Sequence, residues 1–180
     1  MSSSFIVYSI TFIRRKIKMW EKIKPNIKLY LIAVAIPIAT GLLSAALTKD
    51  NMDIYENLIV PNLAPPALVF PIVWIVLYAL MGVSSAMIYK RRFTDTLAVR
   101  QALTTYGISL VINFGWSIIF FNANAFLLSF LWLILLLYFV VRTILEYRKI
   151  EPAAAYLQIP YALWVSFAGY LNIAIYLLNT

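Results

Sequence analysis

Three tryptophans lie well inside hydrophobic segments of the chain, on faces that also carry polar residues: Trp74, Trp116 and Trp164. Tryptophans that anchor a protein at a membrane surface lie at the segment ends instead. Together with Asn113, which can supply a hydrogen bond, these indoles could line a cavity for a flat and largely apolar ligand. Aromatic residues at helical spacing also serve ordinary core packing, so the residues alone leave both interpretations open.

The last hydrophobic segment carries the clearest pattern of this kind. At about 3.6 residues per turn, Pro160, Trp164, Ala168 and either Leu171 or Asn172 fall on one face of a helix. An amide that faced hydrocarbon would lack a guaranteed partner. We therefore expect this face to point into the protein, where Ala168 permits close helix approach and Asn172 bonds to a neighbouring helix.

The second hydrophobic segment has two faces suited to contact. Trp74, Tyr78 and Met81 follow one another at helical spacing along the first face. Gly82 and Ala86 form a surface of small residues on the adjoining side. Such a surface is typical of helices that approach each other closely in a membrane.

The chain contains no cysteine and no histidine. Disulfides, thiol redox chemistry, zinc sites and a histidine-ligated haem are therefore excluded. All seven acidic residues lie in predicted tails, loops or helix ends: Glu21, Asp50, Asp53, Glu56, Asp95, Glu146 and Glu151. Because no ionisable group lies at mid-membrane, a proton-coupled transporter or a channel with charged rings is disfavoured. The serines inside the segments lack a base and an orienting partner, so we expect them to be packing groups.

The composition indicates a polytopic membrane protein. Hydrophobic residues make up 63% of the 180 residues and the mean hydropathy is +0.87, whereas about half is usual for a soluble domain. The net charge of +8 suits basic cytoplasmic loops better than nucleic-acid binding. We predict an all-α bundle of five transmembrane helices, at residues 28–48, 67–89, 97–121, 125–144 and 152–180.

Residues 1–27 form a basic leader before the predicted membrane domain of residues 28–180. The apolar stretch 5–13 precedes the run of basic residues, and no small-residue cleavage site is visible. This order disfavours a removed signal peptide and favours a leader that lies at the membrane interface. Met19 is an alternative start of the protein, which would make residues 1–18 a misannotated extension.

The basic residues fix an expected orientation. Fourteen of the 15 Lys and Arg residues lie in the leader, between helices two and three, or around the end of helix four, and Lys49 is alone on the opposite side. By the positive-inside rule, the N-terminus is then cytoplasmic and the C-terminus outside. Five helices satisfy that parity.

Four blocks of sequence, in order along the chain, resemble the TspO/MBR family of tryptophan-rich sensory proteins, which includes the mitochondrial translocator protein. The blocks are Tyr55-x-x-Leu58-x-x-Pro61-x-Leu63-x-Pro65-Pro66, Pro71-x-x-Trp74-x-x-Leu77-Tyr78-x-x-Met81-Gly82, Asn113-x-x-Trp116-Ser117-x-x-Phe120-Phe121 and Pro160-Tyr161-x-x-Trp164-x-x-Phe167-Ala168-x-x-Leu171-Asn172. The resemblance extends from about residue 28 to residue 179. One departure is Leu63, where relatives usually have tryptophan.

The resemblance implies a five-helix membrane fold that binds porphyrins such as protoporphyrin IX and haem, and other flat hydrophobic ligands. It implies a pocket lined by Trp74, Tyr78, Asn113, Trp116, Trp164, Phe167, Ala168 and Leu171. The first loop, stiffened by Pro61, Pro65 and Pro66, is either a lid over that pocket or simply a rigid start for helix two. No cofactor and no bound metal are expected, since the porphyrin or haem is the ligand.

Two function classes stay open, because both use the same residues. The first is a membrane receptor or sensor for tetrapyrroles. The second is an oxidoreductase that degrades porphyrin in light and oxygen, with Trp74 and Trp164 as the redox residues that the resemblance implies. A small-molecule transporter is a third and weaker alternative. We expect a homodimer in a bacterial cell membrane, with the lipid bilayer and a hydrophobic small molecule as partners and no nucleic acid.

Overall fold

The computed structural model describes the backbone of residues 3–51 and 54–179, and side chains from residue 26 onward except that of residue 56. Within these residues the chain forms six α-helices and no strand: α1 Ser3–Thr48, α2 Ile54–Asn57, α3 Val69–Lys90, α4 Thr96–Ser117, α5 Phe126–Ile150 and α6 Pro152–Asn179. A short 3₁₀ turn follows α1 at Lys49–Asn51, and a π-helical turn extends α4 over Ile118–Asn122.

Five helical stretches of the described chain are long and apolar enough to cross a membrane: Asn26–Asn51, Val69–Lys90, Thr96–Asn122, Phe126–Ile150 and Pro152–Asn179. Many of their outward side chains are large and apolar, such as Ile75 and Val111. A surface of this kind is stable against hydrocarbon and not against water. The predicted all-α fold with five transmembrane helices is confirmed.

The chain divides into two compact units, residues 1–32 and residues 33–180. The first unit consists of the helical backbone from Ser3 onward. The side chains of residues 1–25 lie outside the described residues, so the interfacial position of the basic leader and the start at Met19 stay predictions. The description below concerns the second unit.

In the second unit, α5 and α6 form an antiparallel hairpin joined by one non-helical residue, Glu151, whose carboxylate pairs with Arg91 at the end of α3. Helix α6 also packs along α3, and α4 packs along α5. The fully buried side chains lie between these helices and include Met81, Leu136 and Tyr161. These contacts bring α3, α4 and α6 together around one aromatic core.

Helix α5 ends at Ile150, six residues beyond the predicted end at Ile144. The prediction placed the charged residues after 144 in a loop, which is wrong. Arg142 and Glu146 form an ion pair one turn apart at 3.0 Å, and Tyr147 is fully buried against Tyr106. The last turns of α5 are therefore held by helix packing and a surface ion pair, not by hydrophobic length.

Individual residues explain where α4 begins and how the chain turns after it. The Asp95 side chain accepts a hydrogen bond from the backbone of Ala98, which caps the start of α4. After the π-helical turn, Asn124 adopts a left-handed backbone with φ 54°, a conformation that asparagine tolerates better than most residues. Residues 122–124, which lie between the predicted helices 97–121 and 125–144, therefore form a tight turn.

Candidate functional site

The inner cluster consists of Trp74, Tyr78, Asn113 and Tyr161, which come from α3, α4 and α6. One turn apart on α3, the rings of Trp74 and Tyr78 stack at a centroid distance of 5.3 Å. Tyr161 meets Trp74 edge-on at 6.2 Å. The Asn113 amide nitrogen donates to the Tyr78 hydroxyl at 3.2 Å, so the cluster is held by stacking and by one hydrogen bond.

Helix α1 closes another side of the inner cluster at Gly41. A Cβ atom on this glycine would lie 2.2 Å from the ring of Tyr78. The missing side chain therefore leaves the space that the Tyr78 ring occupies. Because Asn113 and Gly41 hold Tyr78 from two sides, Trp74 is the less constrained ring of the stacked pair.

Two polar atoms of the inner cluster are buried without a hydrogen-bond partner among the described residues, the Asn113 Oδ1 and the Tyr161 hydroxyl. Asn113 is 4% exposed and Tyr161 is 1% exposed. An unpaired buried polar group costs about 1–3 kcal/mol, and native structures contain few of them. The inner cluster can therefore accept a polar group of a bound molecule without displacing an existing hydrogen bond at these atoms.

The outer cluster consists of Tyr55, Phe70, Trp164 and Phe167. Phe70 on α3 meets Trp164 on α6 edge-on at 5.9 Å, and Trp164 packs on Phe167 at 5.7 Å. Phe70 lies one turn before Trp74, and Trp164 lies about one turn after Tyr161. The inner and outer clusters are therefore successive layers of the same seam between α3 and α6.

Trp116 belongs to a third arrangement, between α4 and α6. Its indole nitrogen donates to Asn172 Oδ1 at 3.3 Å, and the Asn172 amide donates to the Ala168 carbonyl at 2.8 Å. Its ring packs on Phe120 at 5.6 Å. The expected bond from Asn172 to a neighbouring helix is observed, and the Trp116 N–H is occupied within the protein. Leu171, next to Asn172, is also buried.

The buried face of α6 is displaced from the predicted one. Pro160 is exposed and Trp164 only half-buried, so the expectation that the whole stripe faces inward is wrong at Pro160. The buried line instead runs through Gln158, Tyr161, Val165, Ala168 and Asn172. Their spacing of three and four residues is that of a helix face centred about one residue further along.

The loop before α3 covers the outer cluster. The Tyr55 ring meets Phe70 edge-on at 5.6 Å, and Leu58 packs against the buried core. Burial raises the pKa of the Tyr55 phenol, so this contact stays uncharged at physiological pH. Leu63, in the same loop, is 69% exposed and lies outside the buried core.

The three loop prolines shape the chain before α3 and lie outside both clusters. The Pro61 carbonyl accepts from the Ala64 N–H at 2.8 Å, which closes a turn. The Pro66 carbonyl accepts from Val69 at 2.9 Å, so a turn precedes α3 and the helix begins two residues later than predicted. Pro65 is half-buried beside them.

The side chain of Asn179, in the last turn of α6, fastens this loop. Its Oδ1 accepts from the Ile59 N–H at 2.9 Å, and its Nδ2 donates to the Ile59 carbonyl at 2.9 Å. A second hydrogen bond joins the start of the loop after α1 to the turn after α4. In it the Asn51 side chain donates to Asn122 Oδ1 at 3.0 Å. We refer to the reciprocal pair between Asn179 and Ile59 as the loop clasp.

The sequence indicated Trp74, Tyr78, Asn113, Trp164 and Phe167, and the structure places them in the two clusters. The sequence did not indicate Tyr161, Phe70 or Tyr55 as site residues. Tyr161 would have been found from the spacing of the buried line on α6. Among the described residues, no group of three His, Cys, Asp or Glu side chains could hold a metal ion.

A sequence model of the TspO/MBR family matches residues 33–178 of the chain, which includes both clusters and the loop. The chain belongs to the TspO/MBR family. It is an integral membrane protein of that family, with the aromatic seam of α3 and α6 inside the matched region.

Three relatives illustrate how widely the similarity extends. The tryptophan-rich protein TspO of Chlorobaculum tepidum is 32% identical over 149 residues, which cover 82% of this chain and 94% of the relative. The tryptophan-rich sensory protein of Cereibacter sphaeroides is 29% identical over 150 residues, covering 83% and 89%. The translocator protein of Bos taurus is 30% identical over 138 residues, covering 76% and 82%.

Proposed function

We propose that this TspO/MBR family member is a membrane receptor or sensor that binds tetrapyrroles, such as protoporphyrin IX and haem, and other flat hydrophobic molecules at the aromatic seam. The unpaired Asn113 Oδ1 and Tyr161 hydroxyl, buried among stacked rings, carry this proposal. A flat ligand with a few polar groups matches such surroundings. The name of the relative from Cereibacter sphaeroides supports a sensory role.

Binding requires the rings of the seam to separate. A flat ring inserted between two others needs about 7 Å, which is two van der Waals contacts. The Trp74 and Tyr78 rings are already stacked in contact at a centroid distance of 5.3 Å, so this pair has to open by one further van der Waals contact, roughly 3.5 Å. Because Tyr78 is held by Asn113 and fits against Gly41, we expect Trp74 to move, and Trp164 to move in the outer cluster.

We expect protoporphyrin IX to quench the tryptophan fluorescence of the purified protein. Changing Trp74→Phe and Trp164→Phe together should remove most of that quenching, since these two indoles face the seam. The measurement is a fluorescence titration in detergent.

Trp132→Phe is the matched control for this titration. The Trp132 indole donates to the Ile112 carbonyl at 2.7 Å and lies between α4 and α5, away from the seam. This variant should quench like the unaltered protein. Quenching by the double variant that equals that of the unaltered protein would show that the ligand binds elsewhere.

Porphyrin degradation is a second candidate, because Trp74 and Trp164 lie on one seam. Trp74 contacts the fully buried Tyr161. The Tyr161 ring is therefore close enough to exchange an electron with an oxidised Trp74. In this mechanism the light-excited porphyrin is oxidised and oxygen takes up the electrons, while an indole relays an electron within the complex and returns to its starting state. Transport stays the weakest alternative, since a mid-membrane ionisable group is missing from the sequence.

We predict that aerobic illumination of the protein with protoporphyrin changes the porphyrin absorbance spectrum faster than illumination in protein-free detergent. Trp74→Phe with Trp164→Phe should return the rate to the detergent value. Equal rates with and without the unaltered protein would leave binding as the function and remove the oxidoreductase alternative. Measuring bound porphyrin in the dark separates a loss of chemistry from a loss of binding.

We also propose where the protein lies and what it associates with. Six basic residues cluster at the ends of α3, α4 and α5, whereas Lys49 alone lies at the loop end: Lys90, Arg91, Arg92, Arg100, Arg148 and Lys149. This asymmetry supports a cytoplasmic N-terminus and an external loop end in a bacterial cell membrane. We propose a homodimer in the bilayer that needs no cofactor and no nucleic acid.

A further inference from the structure

A shallow, open groove between the side-chain ridges of one helix runs along the outward face of α5, on the side away from the aromatic seam. It is lined by Ile134, Leu137, Tyr138, Val141, Arg142 and Leu145. These residues recur at spacings of three and four, so they form one stripe of the helix. From Ile134 to Leu145 the stripe is about 16 Å long, which is roughly half the thickness of a bilayer core of about 30 Å. The groove therefore has the length of one leaflet.

Arg142 gives this apolar stripe a positive charge near one end. Its side chain is 46% exposed, and it lies about 12 Å along the helix from Ile150. A cation on a lipid-facing helix is costly unless it reaches a polar headgroup or pairs with an anion. The end of the groove nearer the membrane centre, at Ile134, is apolar, and the end nearer the membrane surface carries the cation Arg142. The groove therefore matches the polarity of a phospholipid, which has an apolar chain and a charged headgroup.

Glu146, the carboxylate paired with Arg142, does not prevent Arg142 from binding an anion on the lipid side. Its carboxylate binds the Arg142 Nε at 3.0 Å and also receives a hydrogen bond from Gln101 on α4 at 3.4 Å. The Glu146 side chain is 14% exposed, which places its charge on the inner side of the guanidinium. Arg142 Nη1 also donates to the Tyr138 hydroxyl at 3.5 Å. These two contacts orient the guanidinium, and among the described residues its Nη2 is left for an anion from outside the protein.

We propose that this groove binds one acyl chain of an anionic glycerophospholipid, with the phosphate on Arg142. Charge complementarity selects this occupant over a second copy of the chain. At this end of the described helices, seven basic residues face three acidic ones: Lys90, Arg91, Arg92, Arg100, Arg142, Arg148 and Lys149 against Asp95, Glu146 and Glu151. A second copy that docked through this same face would place its Arg142 opposite this one, whereas an anionic lipid is attracted to Arg142. The proposed homodimer therefore uses another face. The site is independent of the aromatic seam.

The test uses the full chain in phosphatidylcholine vesicles with a phosphatidylglycerol that carries a photoreactive diazirine in one acyl chain. We expect crosslinks within residues 134–145, displaced by unlabelled phosphatidylglycerol and not by added phosphatidylcholine. Arg142→Gln should lower this labelling about tenfold, the loss expected at the lower end of the range for one charge-assisted hydrogen bond. Arg148→Gln removes the same charge outside the groove and should leave the labelling unchanged.

A second variant covers the case in which Arg142→Gln disturbs the fold by freeing Glu146. Ile134→Trp enlarges an exposed side chain at the deep end of the groove, so it should block the acyl chain and lower labelling without affecting the core. Labelling that is as strong in both variants as in the unaltered protein would contradict the proposal. Displacement of the probe to the same extent by phosphatidylglycerol and by phosphatidylcholine would also contradict it. So would displacement by millimolar inorganic phosphate, or a crosslink from this stripe to a second copy.

Discussion

Replacing Gly82 with alanine should lower the melting temperature of the detergent-purified protein by about 2–12 °C. A Cβ atom at this position would lie 2.3 Å from the Cα of Val34 and 2.8 Å from the Ala33 carbonyl oxygen. These are backbone atoms of α1, which cannot turn aside as a flexible side chain can. Overpacking of this kind costs about 1–3 kcal/mol, and each kcal/mol lowers the melting temperature by roughly 2–4 °C in a protein of this size.

Gly107 is the matched control for this substitution. It lies within α4, and a Cβ atom there would meet nothing within 4 Å. Gly107→Ala should therefore keep the melting temperature or raise it slightly, because alanine is the better helix former by about 1 kcal/mol. If both alanine variants melted at the same temperature, the close approach of α1 to α3 at Gly82 would be disproved.

Opening the loop clasp should speed the exchange of a bound ligand about tenfold. Asn179→Ala removes two hydrogen bonds to the backbone of Ile59, each worth about 0.5–1.5 kcal/mol, and the lower part of that range applies because the pair is exposed. A total near 1.4 kcal/mol corresponds to a tenfold change in the open population. The measurements are the dissociation rate of protoporphyrin and the hydrogen exchange of residues 54–68.

Leu177→Ala provides the control, since it alters an exposed residue in the same last turns of α6. It should leave both rates unchanged. Asn179→Asp keeps the acceptor for the Ile59 N–H and loses the donor, so its effect should be smaller than that of alanine. Faster hydrogen exchange without faster ligand release would mean that the clasp holds the loop but does not control access to the seam.

The helices and much of the seam could be predicted from sequence because they depend on local pattern. Apolar length located the five spans, and helical spacing placed Trp74 above Tyr78. The small-residue surface at Gly82 indicated a close helix contact, which α1 provides. Apolar length places the end of α5 too early, because it does not detect the ion pair between Arg142 and Glu146 that continues the helix.

Contacts between distant parts of the chain could not be predicted in this way. The loop clasp joins Asn179 to Ile59, 120 residues apart, through an amide that has no distinctive spacing. The bond from Trp116 to Asn172 depends on how α4 and α6 are rotated against each other. The displacement of the buried face of α6 to Tyr161 has the same origin, because a helix face about one residue away is nearly as apolar in sequence.

The single residue between α5 and α6 has a consequence for biosynthesis. With only Glu151 outside the helices, neither helix can move far from the other, so we expect them to enter the membrane together as a hairpin. Helix α3 leaves the ribosome well before that hairpin, with the Trp74 face still lacking Tyr161 as a neighbour. The aromatic seam therefore closes only when α6 arrives, and a translation product that stops before α6 lacks the proposed ligand site.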